Sequence, residues 1–212
     1  MMASQHGWTL TGTNLQCGSC ALSKARSKAV PKSTLTKAKL PGERLFLDIS
    51  GPFPNSLLGN RYWLKIVDDH SRFSWDAFIP TKDSLAIPLQ TLLLKNKDSD
   101  KPCKFLRCDN AGENVKYVRE VCTKLNVTLE MTAPYCPQQN GVVERSFATT
   151  RNRAYASMYC ARFSVETQNV LWPYAVNYVT RLTNNLPRRG MEKNPYGLWY
   201  GDIAPKPRFL SF

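Results

Sequence analysis

The sequence predicts an α/β protein: a mixed five-stranded sheet that opens with a three-strand antiparallel meander and carries helices on both faces. Three observations predict it. Three runs rich in aromatic and aliphatic residues follow one another between residues 44 and 79, separated by connections bearing Gly, Pro, Asn and Asp. Beyond them, apolar runs of strand length alternate with segments of helical spacing. At 212 residues and 42% hydrophobic content, the chain can bury one sizeable core with some extra structure, not two full domains.

Arg44–Ile49, Arg61–Val67 and Phe73–Ile79 form the expected meander. The connections Gly51 to Asn60 and Asp68 to Arg72 are short enough to pair neighbours antiparallel. Asp83 and Ser84 offer a cap for a helix reaching about Lys97, with Pro88 delaying its regular part. Lys104–Cys108 reads as a buried strand. Val115, Val118, Val121, Cys122 and Leu125 fall at helical spacing over 114–125, and Val127–Met131 returns to strand. After the loop from Thr132 to Gly141, one helical pattern runs to about Met158 and another from about Val165 to Leu182, ended near Asn184-Asn185-Leu186-Pro187. Alternation after a meander is what places helices on both faces of a mixed sheet. Phe147, Ala154 and Met158 are expected in the core, and Trp63, Trp75, Trp172 and Trp199 as packing anchors.

Charge divides the chain more sharply than composition does. Residues 1–42 carry six Lys or Arg and no acid; 43–144 carry thirteen bases and thirteen acids; 145–212 carry ten bases and three acids. Of the net +13, the middle thus holds none. A neutral centre between basic flanks lets a protein hold a polyanion against a carboxylate-bearing site. The Lys-, Ser-, Thr- and Ala-rich stretch 23–39 has little to bury and reads as a linker. The expected domains are an N-terminal segment and basic linker over 1–40, a folded core over 41–163, and a helical extension over 164–212.

Several classes are set aside. No window approaches the roughly 18 consecutive apolar residues of a membrane span, and the N-terminus lacks the charged and apolar regions of a secretion signal. A soluble, unsecreted chain is the expectation. Seven cysteines, odd in number and widely spread, suit a reducing compartment better than a disulfide framework. Cys103, Cys108, Cys122 and Cys160 fall in apolar surroundings and are expected as core thiols.

Three carboxylates stand where chemistry is expected. Asp48 lies within the first strand, Asp109 at the end of the fourth, and Glu144 near the start of the helix after the fifth. If strands one and four are neighbours, Asp48 and Asp109 converge at one sheet edge and the helix brings Glu144 over them. Three acids so close raise one another's pKa unless a cation sits between them, and hard divalent ions such as Mg²⁺ or Mn²⁺ take oxygen ligands. Two such ions can activate an attacking oxygen and stabilise a leaving one in phosphoryl displacement. Asp68 and Asp69 compete for the first position, but an Asp pair at a strand-ending turn is expected to be structural.

Three segments carry a resemblance: Leu47-Asp48-Ile49-Ser50-Gly51-Pro52, Arg107-Cys108-Asp109-Asn110-Ala111-Gly112-Glu113, and Ala133-Pro134-Tyr135-Cys136-Pro137-Gln138-Gln139-Asn140-Gly141-Val142-Val143-Glu144-Arg145. They resemble the signature blocks of the integrase core of retroviruses and copia-type LTR retrotransposons. The region around Trp172, Arg181–Pro187 and Asn194–Gly201 is similar to the stretch C-terminal to that core in copia-type elements. The resemblance implies an RNase H-like fold and a polynucleotidyl transferase excised from a Gag-Pol polyprotein. It implies Asp48, Asp109 and Glu144 as catalytic residues and ligands of Mg²⁺ or Mn²⁺, as two ions, and strand transfer with an endonuclease-type end-trimming step.

It further implies DNA as partner, both element ends and target, with homo-oligomerisation, action in the nucleus, and neither a membrane nor a small-molecule substrate. Tyr135, Gln138 and Asn140 are the implied DNA contacts of the loop. Arg145 and Arg151 are read as phosphate contacts from the adjoining helix. Cys17 and Cys20 supply half of a zinc site, yet only His6 precedes them; the module looks truncated and Zn²⁺ is not expected. The alternative function is a decayed or domesticated fragment that binds nucleic acid without catalysis.

Overall fold

The structure, a computed structural model, describes residues 37–109, 114–131 and 140–201. Contacts divide the chain into two compact units, Met1–Ser33 and Thr34–Phe212, and every described residue belongs to the second. The elements are β1 (Arg44–Ser50), β2 (Tyr62–Asp68), β3 (Ser74–Ile79), a 3₁₀ turn (Lys82–Leu85) leading into α1 (Ala86–Asp98), β4 (Phe105–Cys108), α2 (Asn114–Leu125), β5 (Thr128–Met131), α3 (Gly141–Cys160), α4 (Val165–Asn185) and α5 (Pro195–Tyr200).

The strands line up in the order β3-β2-β1-β4-β5. The first three pair antiparallel, while β4 runs parallel to β1 and β5 parallel to β4. Helices cover both faces because strand side chains alternate. Leu45, Leu47, Leu64, Ile66 and Leu106 pack with Leu89 and Leu93 of α1 and Val118 and Val121 of α2. Phe46, Trp63 and Val67 point the other way, onto Val143, Phe147, Ala154 and Met158 of α3 and Trp172, Val176 and Val179 of α4. Each such side chain contributes about 1.5–3 kcal/mol on burial.

The cap region Asp83-Ser84 lies in the 3₁₀ turn and the regular helix begins only at Ala86, as expected, with Pro88 as its third residue, where an amide N–H has no partner within the helix anyway. Several elements differ from expectation for identifiable reasons. The core begins before residue 41: Ala38 is buried and its N–H donates to Asp69 Oδ2 at 2.8 Å. Asp68 is also structural, accepting from Gly42 N at 2.8 Å and from the backbone and hydroxyl of Ser71. The short α5 escaped notice although its signals are ordinary ones. Asn194 caps it by accepting from Gly197 N at 2.7 Å, Pro195 opens it, and Gly201 closes it at φ 82°. Its Trp199 meets Trp75 edge to face at 4.7 Å, which closes the apolar face over the meander.

Among the expected core thiols, Cys103, Cys108 and Cys122 are buried, but Cys160 is exposed. The buried stripe of α3 runs Phe147, Thr150, Ala154, Met158; two residues further on, a helix has turned by about 200° and Cys160 faces outward. No described helix is long and apolar enough to cross a membrane.

α4 closes the second face and also grips the β1–β2 connection. Trp172 Nε1 donates to Pro54 O at 3.1 Å, Phe53 lies against the Trp172 ring at 4.7 Å, and Leu57 N donates to Val170 O at 3.0 Å. At its far end Asn184 is buried and pairs with β3 as a strand would, accepting from Ser74 N at 3.0 Å and donating to Ser74 O at 2.9 Å.

Candidate active site

Asp48 stands near the end of β1. Its register partner on β2 is Lys65, whose partner on β3 is Asp76, so Asp48, Lys65 and Asp76 form one row on the face covered by α3 and α4. The Lys65 ammonium, with its side chain fully buried, is committed away from Asp48: it donates to Asp76 Oδ1 at 2.9 Å and to Thr180 Oγ1 at 3.1 Å, and lies 5.2 Å from the Trp63 ring centroid. Trp63 Nε1 also donates to Asp76 Oδ1, at 2.8 Å. Burial pulls the Lys65 pKa down and Asp76 opposes it.

Asp48 is left without a cation. Its Oδ1 accepts from Ile49 N at 2.8 Å, yet its pKa is pushed up to about 6, first by burial and further by the charges of Asp109 and Glu144. That influence reflects the topology. β4 runs parallel beside β1, so Asp109, one residue beyond Cys108, comes out at the same sheet end as Asp48. Glu144, on the first turn of α3, is delivered by the helix crossing that end. A cleft of about 220 Å³ is lined by Asp48, Ser50 and Trp63 from the sheet and by Glu144, Phe147, Ala148 and Arg151 from α3. Trp63 and Phe147 meet edge to face there, centroids 4.4 Å apart, giving the carboxylates a rigid aromatic floor.

Of the residues singled out in the sequence, Asp48, Glu144 and Arg151 thus share one cleft, and Asp109 acts on Asp48 through its charge. Arg145 is exposed but does not line the cleft; its guanidinium curls back over the first turn, 3.0 Å from where a Cβ on Gly141 would stand. Asn140 is placed differently from an open DNA contact. It is buried at 1% exposure, its Nδ2 donates to Leu47 O at 3.5 Å, and among the described residues its Oδ1 has no hydrogen-bond partner. It ties the start of α3 to the residue before Asp48, and so fixes Glu144 relative to Asp48. Tyr135, Gln138, Cys17 and Cys20 lie outside the described residues.

The Lys65–Asp76 pair is not among the residues the sequence singles out. Its one signal there is a lysine flanked by Leu64 and Ile66 inside a strand.

Three carboxylates are the donor chemistry a hard divalent cation takes, and Asp48, raised first by burial, is raised further by the charges of the other two. Among the described residues, however, no group of three His, Cys, Asp or Glu side chains is gathered closely enough to hold an ion as placed. Glu144, exposed on a helix surface, is the carboxylate with room to swing inward.

The chain is similar to the "Retrovirus-related Pol polyprotein from transposon TNT 1-94" of Nicotiana tabacum, with 28% identity over 180 residues. That stretch is 83% of this chain and 13% of the polyprotein's length. A chain of the simian T-cell lymphotropic virus intasome, solved in complex with PP2A regulatory subunit B56 gamma, superposes with a TM-score of 0.66 at 18% identity, over 92% of this chain and 68% of its own. The HTLV-2 integrase catalytic core domain, solved with magnesium in a trimeric form, gives 0.54 at 14% identity, over 77% of this chain and 100% of its own. No protein-family model matches. The resemblance carried by the three sequence blocks therefore extends to a retrotransposon Pol relative, and the fold is the RNase H-like fold of integrase catalytic cores.

Proposed function

We propose that this chain is the catalytic core of a copia-type retrotransposon integrase, a polynucleotidyl transferase that joins a DNA 3′-end to a target phosphodiester. One observation carries the reading: Asp48 and Glu144 line a single cleft whose Asp48 also feels Asp109, and the three residues come from the three separate segments that resemble integrase blocks. Similarity to a Pol polyprotein supports the same reading.

Asp48, Asp109 and Glu144 are the residues that would hold Mg²⁺ or Mn²⁺. When bound, such ions supply charge stabilisation for in-line displacement at phosphorus. The chain's own contributions are positional. Trp63 and Phe147 form an apolar floor that limits where the reacting strand can lie. Arg151 presents a guanidinium at the rim of the same cleft, placed to take a backbone phosphate. Asn140 sets the distance between the helix and β1. Arg145, and Tyr135 and Gln138 of the preceding loop, are proposed as further DNA contacts. Phosphate contacts carry no base identity, so target choice is expected to be weakly sequence-dependent. Action in the nucleus on chromosomal DNA, as a homo-oligomer, belongs to the same proposal.

A second reading is a domesticated fragment that binds DNA without catalysis, since among the described residues the acids, though around one cleft, are not close enough to hold an ion as placed. Reversal of strand joining on a branched DNA, with Mg²⁺ or Mn²⁺, separates the two. Wild-type activity that falls about 10³-fold in Glu144→Gln is expected, a loss of roughly 4 kcal/mol of barrier stabilisation. Silence in both proteins, with salt-sensitive DNA binding retained, rejects catalysis in favour of the binding fragment.

A further inference from the structure

Away from the carboxylate cleft, three arginines from three different elements are gathered around the end of α4. Arg72 belongs to the β2–β3 turn, where its backbone takes the left-handed φ of 62°; Arg153 lies on α3; Arg188 lies just beyond the end of α4. The end of α4 brings them together, since Asn184 pairs with Ser74, two residues beyond Arg72, and stands four residues before Arg188. Though exposed to solvent, Arg188 is crowded enough that desolvation, and then the charges of Arg72 and Arg153, lower its pKa. Arg153 Nη1 reaches Thr183 Oγ1 of α4 at 3.4 Å, which points this side chain toward the start of the Arg188 segment.

Among the described residues, Asp69 is the one acid in an ion pair with these arginines, through Arg72 at 3.2 Å, and it is shared with Arg44 at 3.6 Å. Among the described residues neither Arg153 nor Arg188 has an ion-pair partner. Like charges held together without a counter-charge disfavour the arrangement until an anion joins it. Guanidiniums also offer the paired donors that phosphate oxygens accept bidentately.

The cluster is not part of the cleft. The strand register puts Leu45 opposite Asp68 and Asp48 opposite Lys65, so the turn bearing Arg72 closes the sheet end opposite the one where Asp48 and Asp109 emerge. On α3, Arg151 lines the cleft; Arg153, two residues on, is rotated by about 200° and faces α4. We propose that Arg72, Arg153 and Arg188 form a second phosphodiester-binding site, one that grips a stretch of duplex DNA other than the strand being joined. The choice of occupant rests on the proposed strand-transfer function and on charge. Residues 145–212 carry ten bases against three acids, and an open surface of separate guanidiniums suits a partner that presents several phosphates at once and releases counterions on binding.

The test measures the affinity of the full chain for a duplex between about 50 and 200 mM KCl, comparing wild type with Arg153→Gln/Arg188→Gln. Both residues are exposed, and circular dichroism checks the fold. The double variant is expected to lower the slope of log affinity against log salt by about two, and Arg153→Lys/Arg188→Lys to restore most of it. An unchanged slope overturns the site, as does wild-type binding without salt dependence. Inorganic phosphate, at a concentration matching the duplex phosphate, is expected to leave the melting temperature unmoved; a rise lost in the Gln variant would mean a small-anion site and overturn the duplex assignment. Strand joining by the wild type reads the underlying function separately: joining with an unchanged slope sinks only this site, and a lowered slope without joining sinks only the catalytic reading.

Discussion

The two faces of the sheet are built from the same strands by opposite rules. On the α1 and α2 side, the fully buried Leu45, Leu64, Leu85, Leu89 and Leu106 form an apolar layer continued by Val118, Val121 and Cys122 of α2. On the α3 and α4 side, the apolar cluster of Trp63, Phe147 and Val179 is interrupted by two groups tied across elements, Lys65 with Asp76 and Thr180, and Ser74 with Asn184. Alternation along β2 alone produces both, since Leu64 and Ile66 face one layer while Trp63 and Lys65 face the other. One face supplies stability that tolerates imprecision. The other sacrifices some of it to place ionisable groups, and the candidate catalytic carboxylate Asp48 belongs to that face.

The sharpest way to break this contrast is to orphan a charge on the polar face. Lys65→Met leaves Asp76 buried and without its cation, and a loss of about 4 kcal/mol is expected by urea unfolding, because an uncompensated buried charge costs more than the pair contributes. Lys65→Met/Asp76→Asn removes both charges and keeps an acceptor for Trp63 Nε1, so it should recover most of that loss. A double variant no more stable than the single would mean that the pair's geometry, not its charge balance, holds the face.

The apolar face should respond less severely and without touching the chemistry. Leu106→Ala, in the parallel strand between β1 and β5, is expected to cost about 3 kcal/mol through lost burial and the cavity left behind. Strand joining per folded molecule should stay at the wild-type level well below the melting temperature. Activity lost in proportion beyond the unfolded fraction would show that the two faces are coupled.

Much of this division is legible in the sequence. The strands can be read because β-branched and aromatic runs end at Gly, Pro or Asp, and the acids Asp48, Asp109 and Glu144 can be placed because each sits at an element end that the topology brings to one edge. Side-chain partners cannot. That Lys65 pairs with Asp76 rather than Asp48 depends on which rotamer a buried ammonium takes among Thr180, Trp63 and two carboxylates. Asn140-Gly141 reads as a mobile loop by composition, yet Asn140 is buried because the start of α3 presses against β1. The approach of Arg72, Arg153 and Arg188 depends on how α3 and α4 pack beyond the meander, which no local pattern records.

The smallest expected effect concerns Asp48 itself and runs opposite to the others, since removing its charge should stabilise the fold. Its carboxyl has a pKa of about 6 in the folded chain against an ordinary value of 3.8, so folding favours the protonated form. That contribution is fully present below about pH 4 and is lost as pH rises through 6; above that, the folded state carries an ionised group that burial and the charges of Asp109 and Glu144 disfavour. The difference of about two pKa units corresponds to roughly 2 to 3 kcal/mol. Asp48→Asn should therefore match the wild type near pH 4 and exceed it increasingly up to about pH 7, measured by chemical unfolding across that range. Asp68, which is also raised by burial, titrates in both proteins and cancels in the difference. Added Mg²⁺ should narrow the gap at pH 7.5 by stabilising only the chain that keeps the carboxylate, linking the cost of Asp48 to the ion it is proposed to hold. Parallel stability curves from pH 4 to 8 would mean that neither burial nor the charges of Asp109 and Glu144 disfavour an ionised Asp48.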